Sequence, residues 1–145
     1  MDPLSISAGI VAIATLAGQT SAAFSRLRET CHALPGRLLA LFNEIADLEA
    51  VLREVANVTR DRSRSRHLLD QSSHISVLLT QARSKLIELR LLVEKLDKAC
   101  AQTKIPLIKA RAWQKAQGKL LHLQEDIQTI KSSLNVLLGA SNSYG

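Results

Sequence analysis

The chain is poor in aromatic residues, at 3%, and has only six glycines and three prolines among 145 residues. So few turn formers and so few strand-favouring aromatics exclude a sandwich or barrel, which needs turns at short intervals. A glycine-rich phosphate loop is missing, because Gly9, Gly18, Gly36, Gly118 and Gly139 stand alone. Metal-ligand spacing is missing too. His67 and His74 share a helical face but lie two turns apart, roughly 10 Å, too far to hold one ion. Cys31 and His32 are adjacent in sequence, whereas a nucleophile and its base must meet in space. Glu44, Asp47, Glu49 and Glu54 spread round one helical segment as a solvated face. These absences argue against an enzyme, a metal protein and a cofactor site. There are two cysteines, Cys31 and Cys100, and no basic n-region of a secretory signal precedes them. The expectation is free thiols in a reducing, intracellular setting, with Cys100 a buried core thiol. One further absence is local: no charged residue occurs between Asp2 and Arg26.

What the chain does have is helical periodicity. Hydrophobic residues make up 46% and charged residues 22%, an ordinary globular mix. Apolar positions recur at alternating steps of three and four in four series. The first runs from Ile6 through Ile10, Ile13, Ala17, Thr20 and Phe24 to Leu27. The second runs from Leu34 through Leu38, Leu41, Ile45, Leu48 and Leu52 to Val55. The third takes in Ile75, Leu79, Ala82, Leu86, Leu89, Val93, Leu96 and Cys100. The fourth takes in Trp113, Ala116, Leu120, Leu123, Ile127, Ile130, Leu134 and Leu137. Each series lies on one stripe of a helix. Asp2-Pro3, Pro35-Gly36, the run Thr59 to Arg66, Pro106 and Gly139 punctuate them. The spacing predicts helices over about 3–30, 35–58, 67–100 and 106–138, within one domain over 1–138 and a frayed tail over 139–145. Each helix would span about 35 to 50 Å. The expected fold is all-α: an antiparallel four-helix bundle with long helices, the first two and the last two being hairpin neighbours.

Three segments can carry function. The uncharged first helix is apolar nearly all round, since Leu4, Val11 and Leu16 fall off the main stripe; such a helix is wrapped by its neighbours or meets lipid. Arg60, Arg62, Arg64 and Arg66 form the densest charge cluster and could contact phosphate or lipid headgroups, or simply solvate a loop. Arg111, Lys115 and Lys119, spaced by four, form a basic row opposite Trp113. With a net charge of +6, the partners expected are anionic: lipid, nucleic acid or an acidic protein. Nucleic acid fits poorly, because a short recognition helix, zinc spacing and stacking aromatics are all missing.

The opening Met1-Asp2-Pro3-Leu4-Ser5-Ile6-Ser7-Ala8-Gly9-Ile10-Val11-Ala12, running on to Leu16-Ala17, resembles the start of the fungal N-terminal domains of STAND proteins, the NOD-like receptor architectures of filamentous fungi. This group is grouped with the HeLo-like cell-death domains. The closing segment, Trp113 then Leu120, Leu123, Ile127, Ile130, Lys131, Ser132, Ser133, Leu134 and Leu137, is similar to the tryptophan-led last helix of those domains. The resemblance implies a helical effector domain at the front of a larger receptor, or a short free-standing member. It implies a role in regulated cell death, heterokaryon incompatibility or innate immunity, executed by membrane attack through the N-terminal hydrophobic helix. It assigns membrane insertion to Leu4, Ile6, Ile10, Val11, Ile13 and Leu16. Related plant domains carry acidic residues in the first helix; this helix has none after Asp2, so a carboxylate-lined channel does not follow.

The expected mechanism is a switch. The first helix is covered at rest, homo-oligomerisation releases it, and the arginine run and basic row hold anionic membrane lipid as the protein moves from the cytoplasm to the plasma membrane. The alternative is a non-lytic adaptor that docks homotypic helical domains.

Overall fold

A computed structural model describes residues 3–30, 36–61, 66 and 70–144. Four long helices account for nearly all of them: α1 (Pro3–Thr30), α2 (Gly36–Arg60), α3 (Ser72–Gln102) and α4 (Pro106–Tyr144). No strand occurs among the described residues, and the fold is an all-α four-helix bundle. Pro3 and Pro106 open α1 and α4, where the missing N–H leaves no bond unmade. Between α3 and α4 the chain turns in three residues, and the Thr103 hydroxyl accepts the Ile105 amide at 3.1 Å.

The four series become the core. Ile10, Leu27, Leu41, Ile45, Leu48, Leu52, Ile75, Leu86, Leu89, Ile127 and Leu134 are all fully buried. Thr20 joins them by turning its hydroxyl to the Leu16 carbonyl at 2.8 Å, which satisfies a polar group that burial would otherwise penalise. Leu79 is only half-buried and Leu78 takes its place. Leu34 lies outside the described residues.

Side-chain contacts fix the topology. The end of α2 meets the start of α1, where Arg60 Nε donates to Ser7 Oγ at 3.0 Å, so these helices form an antiparallel hairpin. Gly18 lies against this seam: a Cβ there would come within 3.3 Å of the Glu49 carboxylate on α2. The hairpin of α3 and α4 is tied by Lys85 to Asp126 at 3.1 Å and Lys119 to Glu88 at 3.5 Å. The two hairpins then lie side by side. α1 runs parallel to α3, with Gln19 accepting from Arg90 at 3.0 Å. α2 runs parallel to α4, with Lys131 against Glu44 at 2.8 Å and Asp47 at 3.6 Å. Each helix thus packs on two neighbours, and α2 and α3, consecutive in the chain, lie diagonally opposite.

Three expectations need correction. α4 does not stop at Gly139 but continues to Tyr144; no described glycine has a positive φ, so Gly139 sits in the helix instead of capping it. Cys100 is not a free thiol but is disulfide-bonded. The chain's other cysteine, Cys31, follows α1 directly and lies outside the described residues. The parallel course of α1 and α3 brings their C-terminal ends to the same end of the bundle, a proximity that 69 positions of sequence separation conceal. Finally, α1 is not wrapped on every side. It occupies a corner, with Ser5, Ala8, Ala12, Thr15, Gln19 and Ala22 facing outward.

Candidate functional site

Two regions stand out. The first is α1, which by length and composition is the one described helix able to cross a membrane, over Ser5–Thr30. Its inner stripe of Ile6, Ile10, Ile13, Ala14 and Ala17 is buried, while Val11 and Leu16 are half-buried against the core. The Leu4 side chain lies outside the described residues. The outer face is made of small and uncharged polar residues, so α1 presents no charge to solvent before Ser25.

The attachment of α1 differs along its length. Its first three turns border a cleft of about 250 Å³ against the start of α3, lined by Ile6, Gly9 and Ile13 on one side and Ile75, Ser76 and Leu79 on the other. The cleft is open to solvent, and Ile6, Ile10 and Ile13 beside it are nonetheless buried. Two hydrogen bonds from neighbouring arginines, Arg60 to Ser7 and Arg90 to Gln19, are its side-chain polar ties to other described helices. Neither is an ion pair, because α1 has no charge there to offer.

The second region is a groove between α3 and α4, near the end of α3. Leu92, Leu96, Ala112 and Ala116 form its floor, and its volume is about 530 Å³. The basic row of Arg111, Lys115 and Lys119 runs along its edge, with Lys95 on the α3 side. Sequence spacing puts this row opposite Trp113. In the fold both flank the core stripe of α4: Trp113 leans toward Leu38 and Leu41 of α2, and the row leans toward α3. Lys119 reaches Glu88, but Lys95, Arg111 and Lys115 make no ion pair with any described residue. Close by, Ile105, Leu107 and Ile108 leave large apolar side chains in solvent, with Leu107 68% exposed. Sequence reasoning missed these residues and the groove. The signal was present in Leu107 and Ile108, apolar positions off the fourth series.

The two basic clusters do not meet. Arg60 belongs to the end where α1 begins and Arg66 is exposed, whereas the row lies beside the second half of α3. Ile75 of α3 marks the first level and Glu88 to Lys95 the second, so the two are roughly 20 to 30 Å apart along the bundle. Arg62 and Arg64 lie outside the described residues. No group of three or more His, Cys, Asp or Glu side chains suited to a metal occurs among the described residues.

A different kind of polar contact fastens α2 to α4. Burial disfavours the charge on Glu44, but its hydrogen bonds to Lys131 and Gln128 and the nearby Lys131 charge outweigh this, and its carboxyl is held below the usual carboxylate range. The hydrogen bond to Glu44 in turn raises Lys131 above an ordinary lysine; burial opposes the shift, and the charges of Glu44 and Asp47 support it.

Fold and surfaces together define a helical bundle domain with an uncharged corner helix and a cationic, apolar-floored groove. Over residues 1–142 the sequence matches the family described as Pigment biosynthesis cluster protein PigL N-terminal, and the chain belongs to that family. This agrees with the coarser part of the resemblance drawn above, a fungal helical domain. No curated protein and no solved structure matches the chain.

Proposed function

We propose that the chain is a non-catalytic, N-terminal effector domain of the STAND and HeLo-like kind, acting in regulated cell death or defence by committing α1 to a membrane. The family description ties its namesake to a pigment biosynthesis cluster and gives no activity, so the proposal stands on the residues. The observation that supports it most directly is the state of α1: a corner helix without charge from Pro3 to Ser25, bordered along its first turns by a 250 Å³ cleft.

Among the described residues, leaving the bundle breaks no ion pair of α1; it breaks two hydrogen bonds, Arg60 to Ser7 and Arg90 to Gln19. The apolar contacts with α2 and α3 are exchanged for lipid contacts of similar kind. Oligomerisation would supply the bias by raising the local concentration of released helices. The protein would start in the cytoplasm and end at the plasma membrane, with anionic lipid and further copies of the chain as partners. Arg60 lies beside the departing end, and together with Arg62, Arg64 and Arg66, which follow it in sequence, it would hold headgroups. In a reducing compartment the Cys100 disulfide would open, removing a covalent tie at one end of α3.

The structure improves the choice of test variant. Ile10 is fully buried, so Ile10→Asp would unfold the resting bundle. Ala12 faces solvent, and Ala12→Asp leaves the core intact while placing a carboxylate at the middle of the inserting helix, where it costs about 3 kcal/mol in a bilayer. The expected result is leakage of phosphatidylserine-containing liposomes by the wild-type chain and its loss in Ala12→Asp at unchanged helicity and melting temperature. Equal leakage by both removes α1 from the mechanism. Self-association without any vesicle binding favours the adaptor reading.

A further inference from the structure

We propose that the groove between α3 and α4 is a binding site for a single-chain amphiphile with an anionic headgroup, such as a fatty acid carboxylate. This site is separate from α1 and does not rest on the release of that helix.

Three observations carry the inference. The groove is the right size: its 530 Å³ falls within the roughly 300–1,000 Å³ of pockets that take small organic ligands. Its floor is apolar, built from Leu92, Leu96, Ala112 and Ala116. The alanines of α4 matter here, because at these two positions a larger residue would fill the space. Its edge is cationic and unneutralised: Lys95, Arg111 and Lys115 have no carboxylate partner among the described residues, while elsewhere Lys85 and Lys131 are paired across helices. An apolar trough beside three unpaired cations is complementary to a hydrocarbon chain that ends in a negative charge. A neutral chain satisfies only the floor, and a free inorganic anion satisfies only the edge. Ile108 also lines the groove, and the exposed Ile105 and Leu107 beside it in the chain extend the apolar surface toward the end of the bundle, where the hydrocarbon chain can enter.

Titration calorimetry of the full chain tests this with dodecanoate, kept below its micellar concentration so that monomer binding is distinguished from adsorption to aggregates. Dodecanol, inorganic phosphate and phosphatidylserine vesicles are the comparison probes. The expected result is saturable 1:1 binding of dodecanoate and at least tenfold weaker binding of dodecanol and of phosphate. The charge-removing variant Arg111→Gln/Lys115→Gln, at exposed positions that leave the core untouched, should weaken dodecanoate at least tenfold. Ala112→Trp, which fills the floor, should abolish binding; circular dichroism and melting temperature establish that each variant is folded. Ala12→Asp on α1 should bind dodecanoate as the wild type does, so failure of the α1 mechanism and failure of this site are read separately. Absence of dodecanoate binding, equal affinity for dodecanol, or binding to vesicles alone overturns the proposal.

Discussion

Helices α1 and α4 occupy opposite corners of one bundle and are held there by different physics. α4 is fastened to both neighbours by charge: Lys131 to Glu44 and Asp47 on α2, and Asp126 and Lys119 to Lys85 and Glu88 on α3. α1 is fastened by apolar contact and two neutral-acceptor hydrogen bonds. A helix held by ion pairs meets a large penalty on entering lipid, because each charge must be stripped of its partner and of water. A helix held by apolar contact meets no such penalty. The contrast is one of charge: α4 carries ion pairs to both neighbours, and α1 reaches its neighbours without any among the described residues.

The largest expected effect separates the two helices directly. Ile127→Ala, at a fully buried position of α4, should lower unfolding free energy by about 3 kcal/mol. Ile6→Ala, beside the cleft, should cost less, about 1 to 2 kcal/mol, since the site is already incompletely filled and can relax. Urea denaturation gives both values, and equal losses would mean that the start of α1 is packed as firmly as α4.

Next in size is the covalent tie. Cys100→Ser should destabilise the oxidised protein by about 2 to 4 kcal/mol and leave the reduced protein close to wild type. A variant with the same loss under strong reductant would show that packing at Cys100, and not the disulfide, carries the effect.

The smallest effect concerns the clasp between α2 and α4. Lys131→Met should cost about 1 to 2 kcal/mol at neutral pH, because both side chains are largely shielded and Glu44 would lose its cation. The sign with pH follows from the two shifts. Glu44 is depressed, so its contribution is complete above the ordinary carboxylate range and is lost as pH falls through its lowered value. Lys131 is raised, so its contribution is complete below the ordinary lysine value and is lost as pH rises through its raised one. The gap between wild type and variant should therefore be widest between these limits and close toward acid. A gap constant down to pH 2 would assign the effect to packing of the lysine stem.

The fold was legible from the sequence where periodicity was strong. The first series, Ile6 to Leu27, is buried at every member, because a three-four spacing of apolar residues leaves a helix only one face to bury. Leu79 broke the rule: Leu78, one position earlier, takes the buried place, and Leu79 lines the cleft beside Ile6 and Ile13. The corner position of α1 was hidden because small residues such as Ala8 and Ala12 read as apolar in a sequence yet are tolerated in solvent. The groove was hidden because its two sides, near Lys95 and Arg111, come from separate helices, each unremarkable alone.

By itself, then, the sequence determined the four helices, the stripe each one buries and the absence of charge from α1, since these depend on residue type at local spacing. Only the tertiary structure decided that the hairpins lie side by side with α1 parallel to α3, that Arg60 sits roughly 20 to 30 Å along the bundle from the basic row, and that Lys95 joins Arg111 and Lys115 at one apolar trough. Such facts depend on how helix surfaces fit against one another, and surfaces meet through contacts between residues far apart along the chain.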